Sequence, residues 1–366
     1  MYDTARMREI AVIISDLYLP RAADAPSATV LASLPGLAEA ARFGQRSTVD
    51  DGWRAWLARW IGRDDLARAA PAAVAASASP HAFDEGSVWI ASPIHLVAGL
   101  TNLHLDYQGL LRLSAQDLAR LAQDFANTFG EAEFQLEALD SGAFLLRASR
   151  NLNAATTEPA RVLADELEAS LPNGPDAPVL RRLGAELEMW LHSHPVNQAR
   201  SGRGELPVST LWPWGGGAAL TSAAPSGRGA PTGGTPSAAG TLTSCPLVFG
   251  SDPYLVGLAH LTGLQRRPLP ERLPDPTDWP HTQRGVVVAE IAALLQANPG
   301  WTMFEALAHL DRCFIMPAIQ ALRAGSVSSV LVMANDIRLQ IGRRDRLRFW
   351  RRRPKSGSAA LRVMME

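Results

Sequence analysis

Cysteine is scarce. Cys245 and Cys313 are the only two in 366 residues, too few for a disulfide framework and without a metal-binding spacing, so a reducing compartment is expected. No run approaches the roughly 20 apolar residues that span a bilayer, and the early run Ile10 to Ile14 is too short for a secretory signal. These absences imply a cytoplasmic protein with no membrane partner. Neither sign of charge prevails: 35 Lys plus Arg stand against 36 Asp plus Glu, a formal net charge of -1, which removes any general pull on nucleic acid. The stretch from Arg338 to Lys355 concentrates basic residues and reads first as a solvated, amphipathic terminal strand or helix, with a phosphate-attracting or partner-binding patch as the alternative. What is present is ordinary for a globular chain. A hydrophobic content of 47% with 19% charged residues supports one large α/β core or two smaller ones.

Apolar patterning divides the chain. The opening EIAVIISDLYLP is of strand length, closed by Asp16 and Pro20, and reads as a buried parallel strand. Ligands gather beyond the carboxyl ends of such strands, so Asp16 is well placed for chemistry, although a turn-capping role suits it equally. Leu34 to Gly44 reads as a helix. Asp51 to Ala70 reads as another, with Trp53, Trp56, Leu57 and Trp60 on one face, a stripe that suits core packing or a protein partner.

From Ser87 the pattern changes. Ser87 to Leu105 predicts one or two strands containing His95 and His104, each more simply a hydrogen-bonded structural histidine than a ligand. Leu113 to Phe129 predicts a helix capped by Ser114, and Glu133 to Ala148 a hairpin turned at Asp140 to Gly142. Together they predict an inserted α+β subdomain over residues 87–176. A helix from Pro178 to Leu191 follows, then strands at Pro207 to Trp214, Pro246 to Phe249, Val286 to Ala289 and Val327 to Ala334. Helices are expected at Pro253 to Leu261, capped by Asp252, and at Trp301 to Arg323 with an interruption at Pro317. This alternation predicts an α/β fold: a mainly parallel sheet with helices on both faces, contributed by residues 1–86 and 177–366. Residues 218–244, rich in Gly, Ala, Ser, Thr and Pro, read as a flexible loop, a tolerated insertion rather than a lid.

The chemistry concentrates between His192 and Gly217. His194 and Asn197 follow a helix end, Arg200 offers a planar fork of donors suited to carboxylate or phosphate, and Gly215, Gly216 and Gly217 allow close backbone approach to an anion. The plainer reading is a helix stop followed by a linker.

The order H-P-x-N-x-x-R, then Gly, Pro and a glycine-ended loop, stands here as His194, Pro195, Asn197, Arg200, Gly204, Pro207, Trp214, Gly215 and Gly217. It resembles the motif of the archaeal-type, cofactor-independent phosphoglycerate mutases of the alkaline phosphatase superfamily, with Val208 and Ser209 replacing that family's Ala-Asn pair. The same segment and the overall length are more closely similar to bacterial proteins such as the E-type regulatory protein of the Rpf cluster. The helix at Leu34 to Gly44 also looks like one of the mutase helices.

The resemblance implies an alkaline phosphatase-like core with an inserted domain. It sets Asp16 at the position of a strand-end metal ligand, where Leu17, Tyr18 and Leu19 replace the glycines and second acid of the family pattern. Asn335-Asp336-Ile337 stands where an Asp-His pair is expected. No histidine follows His309, His309 and Asp311 are two apart on a helix and point to different faces, and no serine at Ser47, Ser77, Ser79 or Ser87 has the acid and histidine neighbours of the family's nucleophile. Asp16 and Asp336 are thus the remaining metal positions, in vestigial form. The expectation is a mutase-like protein without metal centre or nucleophile, needing no cofactor, that binds a small phosphorylated or carboxylated ligand through His194, Asn197, Arg200, Gly215 and Gly217. The alternative is an active mutase or related phosphotransferase carrying Mn, Zn or Mg.

Overall fold

The structure is a computed structural model. It describes residues 8–18, 34–81, 85–99, 102–130, 133–163, 167–220, 246–279, 284–334 and 336–345. Most of the expected loop at 218–244 and of the basic tail after 345 lies outside the described residues. The described residues contain the strands β1 (Glu9–Ile14), β2 (Gln45–Thr48), β3 (Ser87–Ala98), β4 (Leu103–Leu110), β5 (Phe134–Ala138), β6 (Phe144–Ala148), β7 (Thr210–Ala218), β8 (Leu247–Phe249), β9 (Gln265–Arg267), β10 (Arg284–Ala289), β11 (Ser329–Ala334) and β12 (Ile337–Gly342).

Seven of these form the main sheet in the order β2-β12-β11-β1-β10-β8-β9. The stretch from β11 to β9 is parallel, and β12 returns antiparallel to β11 before pairing with β2. β1 lies at the centre because its run IAVII is apolar on both faces. Ile10, Val12 and Ile14 pack against helices Pro35–Phe43, Met303–Leu310 and Met316–Ala324. Ala11 and Ile13 pack on the opposite side, against helices Gly52–Trp60 and Pro253–Thr262. The main sheet is therefore α/β, with helices on both faces and a predominantly parallel core.

The second sheet is antiparallel: β4-β3-β6-β5, with β7 on the other edge of β3. Helices Ala115–Phe129 and Ala177–His192 cover one face, burying Leu118, Leu121, Phe125, Leu183 and Leu187 against Trp89 and Phe144. Its last strand comes from residues 210–218, so this smaller sheet draws on chain beyond 87–176. β2 and β9 carry no sequence signal because QRST and QRR are polar edge strands with no apolar face.

The tryptophan helix is shorter than Asp51 to Ala70: it ends at Trp60, and a separate turn covers Asp64–Ala67. Trp53 and Trp56 are buried against the main sheet, with Trp60 stacked on Trp56 at 5.4 Å, so this face belongs to the core. The expected interruption near Pro317 is a π-helical turn, Asp311–Ile315, between two α-helical segments. A wider turn accommodates a residue with no backbone N–H. Asp311, fully buried within it, accepts bonds from the N–H groups of Gly36 (2.9 Å) and Leu37 (2.6 Å) and so caps the helix Pro35–Phe43. No described helix is long and apolar enough to cross a membrane.

Candidate functional site

Three adjacent parallel strands deliver acids to one cleft. β1 runs into Ser15 and Asp16, β10 into Glu290, and β8 is followed by Asp252. Parallel pairing turns the carboxyl ends of these strands to a common edge, which brings together residues remote in sequence. The facing wall comes from the smaller sheet and its connections: Ser92 in β3, Arg112 after β4, Ser141 in the β5–β6 turn, Glu158, and Trp214 in β7. The space between is about 100 Å³, room for several waters or one small polar molecule.

Arg54, from the helix Gly52–Trp60, is the anchor of this cleft. Its Nη2 donates to Asp252 at 2.7 Å and lies 2.9 Å from Glu158, while the guanidinium sits 4.4 Å from the Trp53 ring centre and 4.6 Å from that of Trp214. Burial opposes its charge, but Asp252 and Glu158 more than offset this and push its pKa up. The second oxygen of Asp252 accepts from the Tyr254 N–H at 2.8 Å and caps the helix Pro253–Thr262. Arg112 pairs with Glu290 across the two sheets, and its backbone N–H donates to Gln296 at 2.9 Å. Asp16 is 6% exposed. Its two oxygens accept the N–H groups of Ile291 (2.7 Å) and Ala292 (2.8 Å), at the start of helix Ile291–Ala297. Burial, then the neighbouring Glu290 charge, raises the Asp16 pKa from 3.8 to about 7 against the pull of those amides and Arg112.

Asp336 does not join Asp16 in this cleft. Arg161 grips it with two bonds of 2.5 and 2.8 Å, and the Tyr18 hydroxyl donates to it at 3.3 Å. Tyr18 in turn lies under the Arg161 guanidinium, 4.7 Å from ring centre to Cζ. The residue sits at φ 59° in the turn into β12, a left-handed conformation that aspartate tolerates better than most side chains.

None of the five residues expected to bind ligand lines the cleft. His194 caps a helix, Pro195–Gly202, in place of the helix stop and linker expected there. Its Nδ1 accepts from the Val196 N–H at 3.2 Å, and Nε2 lies 3.3 Å from the Asp124 carboxylate without hydrogen-bond alignment. Burial, partly opposed by Asp124, lowers its pKa, which favours the neutral ring. The Asn197 amide spans 11 residues: Nδ2 donates to the Leu191 and Val208 carbonyls, each at 2.8 Å, and Oδ1 accepts from the Val208 N–H at 2.7 Å. Arg200 donates to the Leu206 carbonyl at 2.9 Å and pairs with Glu205 (3.0 Å) and Asp117 (3.3 Å). These three side chains are turned inward, fastening helix Pro195–Gly202 to helix Ala115–Phe129 and to the entry of β7.

The glycines do comparable work in β7. The register slips between the pairs Val88↔Gly217 and Ile90↔Trp214, forming a bulge at Gly215 and Gly216. Gly215 has φ 63°, and a Cβ on Gly216 would stand 1.9 Å from Trp89 Nε1. On Gly217 it would stand 2.5 Å from the Ala70 Cβ. The triplet lets β7 lie flat on Trp89 and on the chain entering helix Pro71–Ala76, which takes it out of a loop reading.

A two-metal phosphotransfer centre needs several acids and histidines with open oxygens or nitrogens around ions about 4 Å apart. The residues present do not fit one. Both oxygens of Asp16 are taken by amides, both of Asp336 by Arg161, and among the described residues no group of three or more His, Cys, Asp or Glu is placed to hold a metal. Arg54, Arg112, Glu158, Asp252 and Glu290 were missed as site residues from sequence. Asp252 and Glu290 carried the same signal as Asp16, an acid just beyond a predicted strand, whereas Arg54 was hidden among tryptophans.

No protein-family model matches this chain, and no curated protein matches it. Two solved structures align over nearly its whole length. The cofactor-independent phosphoglycerate mutase of Thermoplasma acidophilum is 15% identical over 98% of each chain, with a TM-score of 0.36. A protein of Pyrococcus horikoshii is 14% identical over 98% of this chain and 97% of its own, with a TM-score of 0.44.

Proposed function

We propose that this chain is a phosphoglycerate mutase-like protein acting as a ligand-binding or regulatory protein, not as a metal-dependent phosphotransferase. One observation carries the reading: the two acids that the sequence likeness sets at metal positions have each oxygen engaged by the protein itself, Asp16 by two amides and Asp336 by Arg161 and Tyr18. Displacing Arg161 or those amides would strip a partly buried carboxylate of its partners to make room for a cation. The sequence, with no serine in the setting of the family's nucleophile, points the same way.

The cleft between the sheets is the proposed binding site, with Arg112 as the group that meets the ligand. Its side chain is 28% exposed against 10% for Arg54, and among the described residues its one ion-pair partner is Glu290. Three carboxylates, Glu158, Asp252 and Glu290, face two guanidiniums, so the cleft is short of positive charge even with Asp16 protonated. A carboxylate monoanion that takes Arg112 from Glu290 adds one negative charge to this cleft and a phosphate dianion adds two, so the monoanion meets the smaller repulsion. Of the small carboxylated or phosphorylated ligands expected from sequence, the carboxylated class is therefore favoured. His194, Asn197, Arg200, Gly215 and Gly217 serve this reading as scaffold.

Thermal-shift and calorimetric titration with glycerate and with 3-phosphoglycerate, alongside metal analysis, tests it. Glycerate is expected to stabilise the wild type and Arg200→Ala alike, with the effect lost in Arg112→Ala, and the purified protein is expected to carry no stoichiometric metal. Stoichiometric Mn or Zn together with turnover of 3-phosphoglycerate would establish the enzyme instead. Stabilisation that vanishes with Arg200→Ala but survives Arg112→Ala would return the site to the H-P-x-N-x-x-R segment.

A further inference from the structure

A second cavity, sharing no lining residue with the cleft at the carboxyl edge, lies in the smaller sheet's module. Helix Ala177–His192, strands β4 and β7 and the turn Leu167–Ser170 enclose a groove of about 560 Å³, within the range of small-molecule sites. Its lining is mainly apolar, and two of the four exposed large hydrophobic residues described, Leu103 (45%) and Leu171 (39%), stand on its walls. Its floor is open because Gly184 faces it: a Cβ built there meets nothing within 4 Å. A glycine in mid-helix is less favourable than alanine by about 1 kcal/mol, and here its small size leaves volume free instead of admitting a packed neighbour.

The charge in the groove is specific. Glu188 lies one turn beyond Gly184 on the same face and has no hydrogen-bond or ion-pair partner among the described residues. Glu168 stands on the opposite wall, while Arg181, the one cation lining the groove among the described residues, has its Nε committed to the Pro172 carbonyl at 2.9 Å. A solvent-facing carboxylate with no partner among the described residues, at the rim of an apolar trough, is complementary to a cation joined to an aliphatic chain.

We propose that this groove binds an amphiphilic amine or quaternary ammonium compound, its aliphatic chain lying over Gly184 between Leu103 and Leu171 and its cationic head meeting Glu188. The site is independent of the cleft at the carboxyl edge. Its volume suits one small amphiphile, whereas a helical peptide, some 10 Å across, would overfill it.

The test is calorimetric titration of the full chain with decyltrimethylammonium, decanol and decanoate, each below its micelle-forming concentration. The ammonium compound is expected to bind at one site, about tenfold tighter than decanol and more so than decanoate. Glu188→Gln should remove that preference while leaving decanol binding in place, and Gly184→Leu, which fills the floor and favours the helix, should abolish all three. Circular dichroism confirms that both variants fold. Absence of saturable binding, equal affinity for the three probes, or indifference to Gly184→Leu overturns the proposal. So does binding of an Arg/Leu-rich peptide that decyltrimethylammonium does not displace.

Discussion

Asp16→Asn is the most direct probe of the carboxyl edge. In the fold Asp16 is buried beside Glu290, and its pKa rises from an ordinary 3.8 to about 7. Below pH 3.8 the carboxyl is protonated in folded and unfolded chains alike. Between pH 3.8 and 7 the folded protein retains a proton that the unfolded chain has lost, so stability falls as pH rises through this window and levels off above it. At about 1.4 kcal/mol per pH unit, the linkage reaches at most about 4 kcal/mol. Asparagine cannot ionise and keeps one oxygen for the amides of Ile291 and Ala292, giving up one capping bond worth about 1 kcal/mol. The variant is therefore expected to be less stable than the wild type by about 1 kcal/mol at pH 4 and more stable by about 2–3 kcal/mol at pH 8. Urea unfolding followed by circular dichroism at half-unit pH steps measures the difference. A difference constant across pH 4–8 would refute the burial argument, and one that grows against the variant as pH rises would show Asp16 to be a favourably ionised group.

Gly216→Ala should destabilise the fold by about 3 kcal/mol, because its Cβ would meet Trp89 Nε1 at 1.9 Å, while Gly184→Ala, into open space on a helix, should add about 0.5–1 kcal/mol; urea midpoints of the pair separate close packing from chain flexibility. Asn197→Ala removes three buried bonds and should lower stability by about 3 kcal/mol with glycerate affinity unchanged, whereas a fall in affinity at constant stability would make Asn197 a ligand contact. Arg54→Met leaves Asp252 and Glu158 facing each other unpaired, at about 3–5 kcal/mol; adding Glu158→Gln should recover part of the loss in thermal unfolding.

Much of the main sheet could be read from the sequence, since β1, β10 and β11 are short, continuous apolar runs and the strands buried on both faces have no other way to satisfy that composition. The polar edges β2 and β9 could not: β2 depends on β12, nearly the whole chain away, and β9, though close in sequence to its partner β8, is the polar run QRR with no apolar face. The site was legible in kind but not in place. Asp16 was found by its position after a strand, and His194, Asn197 and Arg200 by their polarity. Nothing local shows that Asn197 meets Val208, or that Arg200 meets Asp117, so the protein contacts these side chains make could not be read from the sequence. Similarly, three consecutive glycines signal backbone freedom, and only Trp89 and Ala70, more than 100 residues upstream, reveal that they make room for packing.

The partners of β1 carry a consequence for how the protein is made. Its two neighbours begin at Arg284 and Ser329, so a ribosome must pass residue 284 before β1 gains a companion. The antiparallel module, whose strands all lie between Ser87 and Ala218, can assemble earlier. Meanwhile the aliphatic stretch from Ile10 to Ile14 waits in water, and such long-range closure is slow and exposed to association. β1 is thus where a chaperone would find this chain during synthesis, and where arrested translation would leave it prone to aggregate.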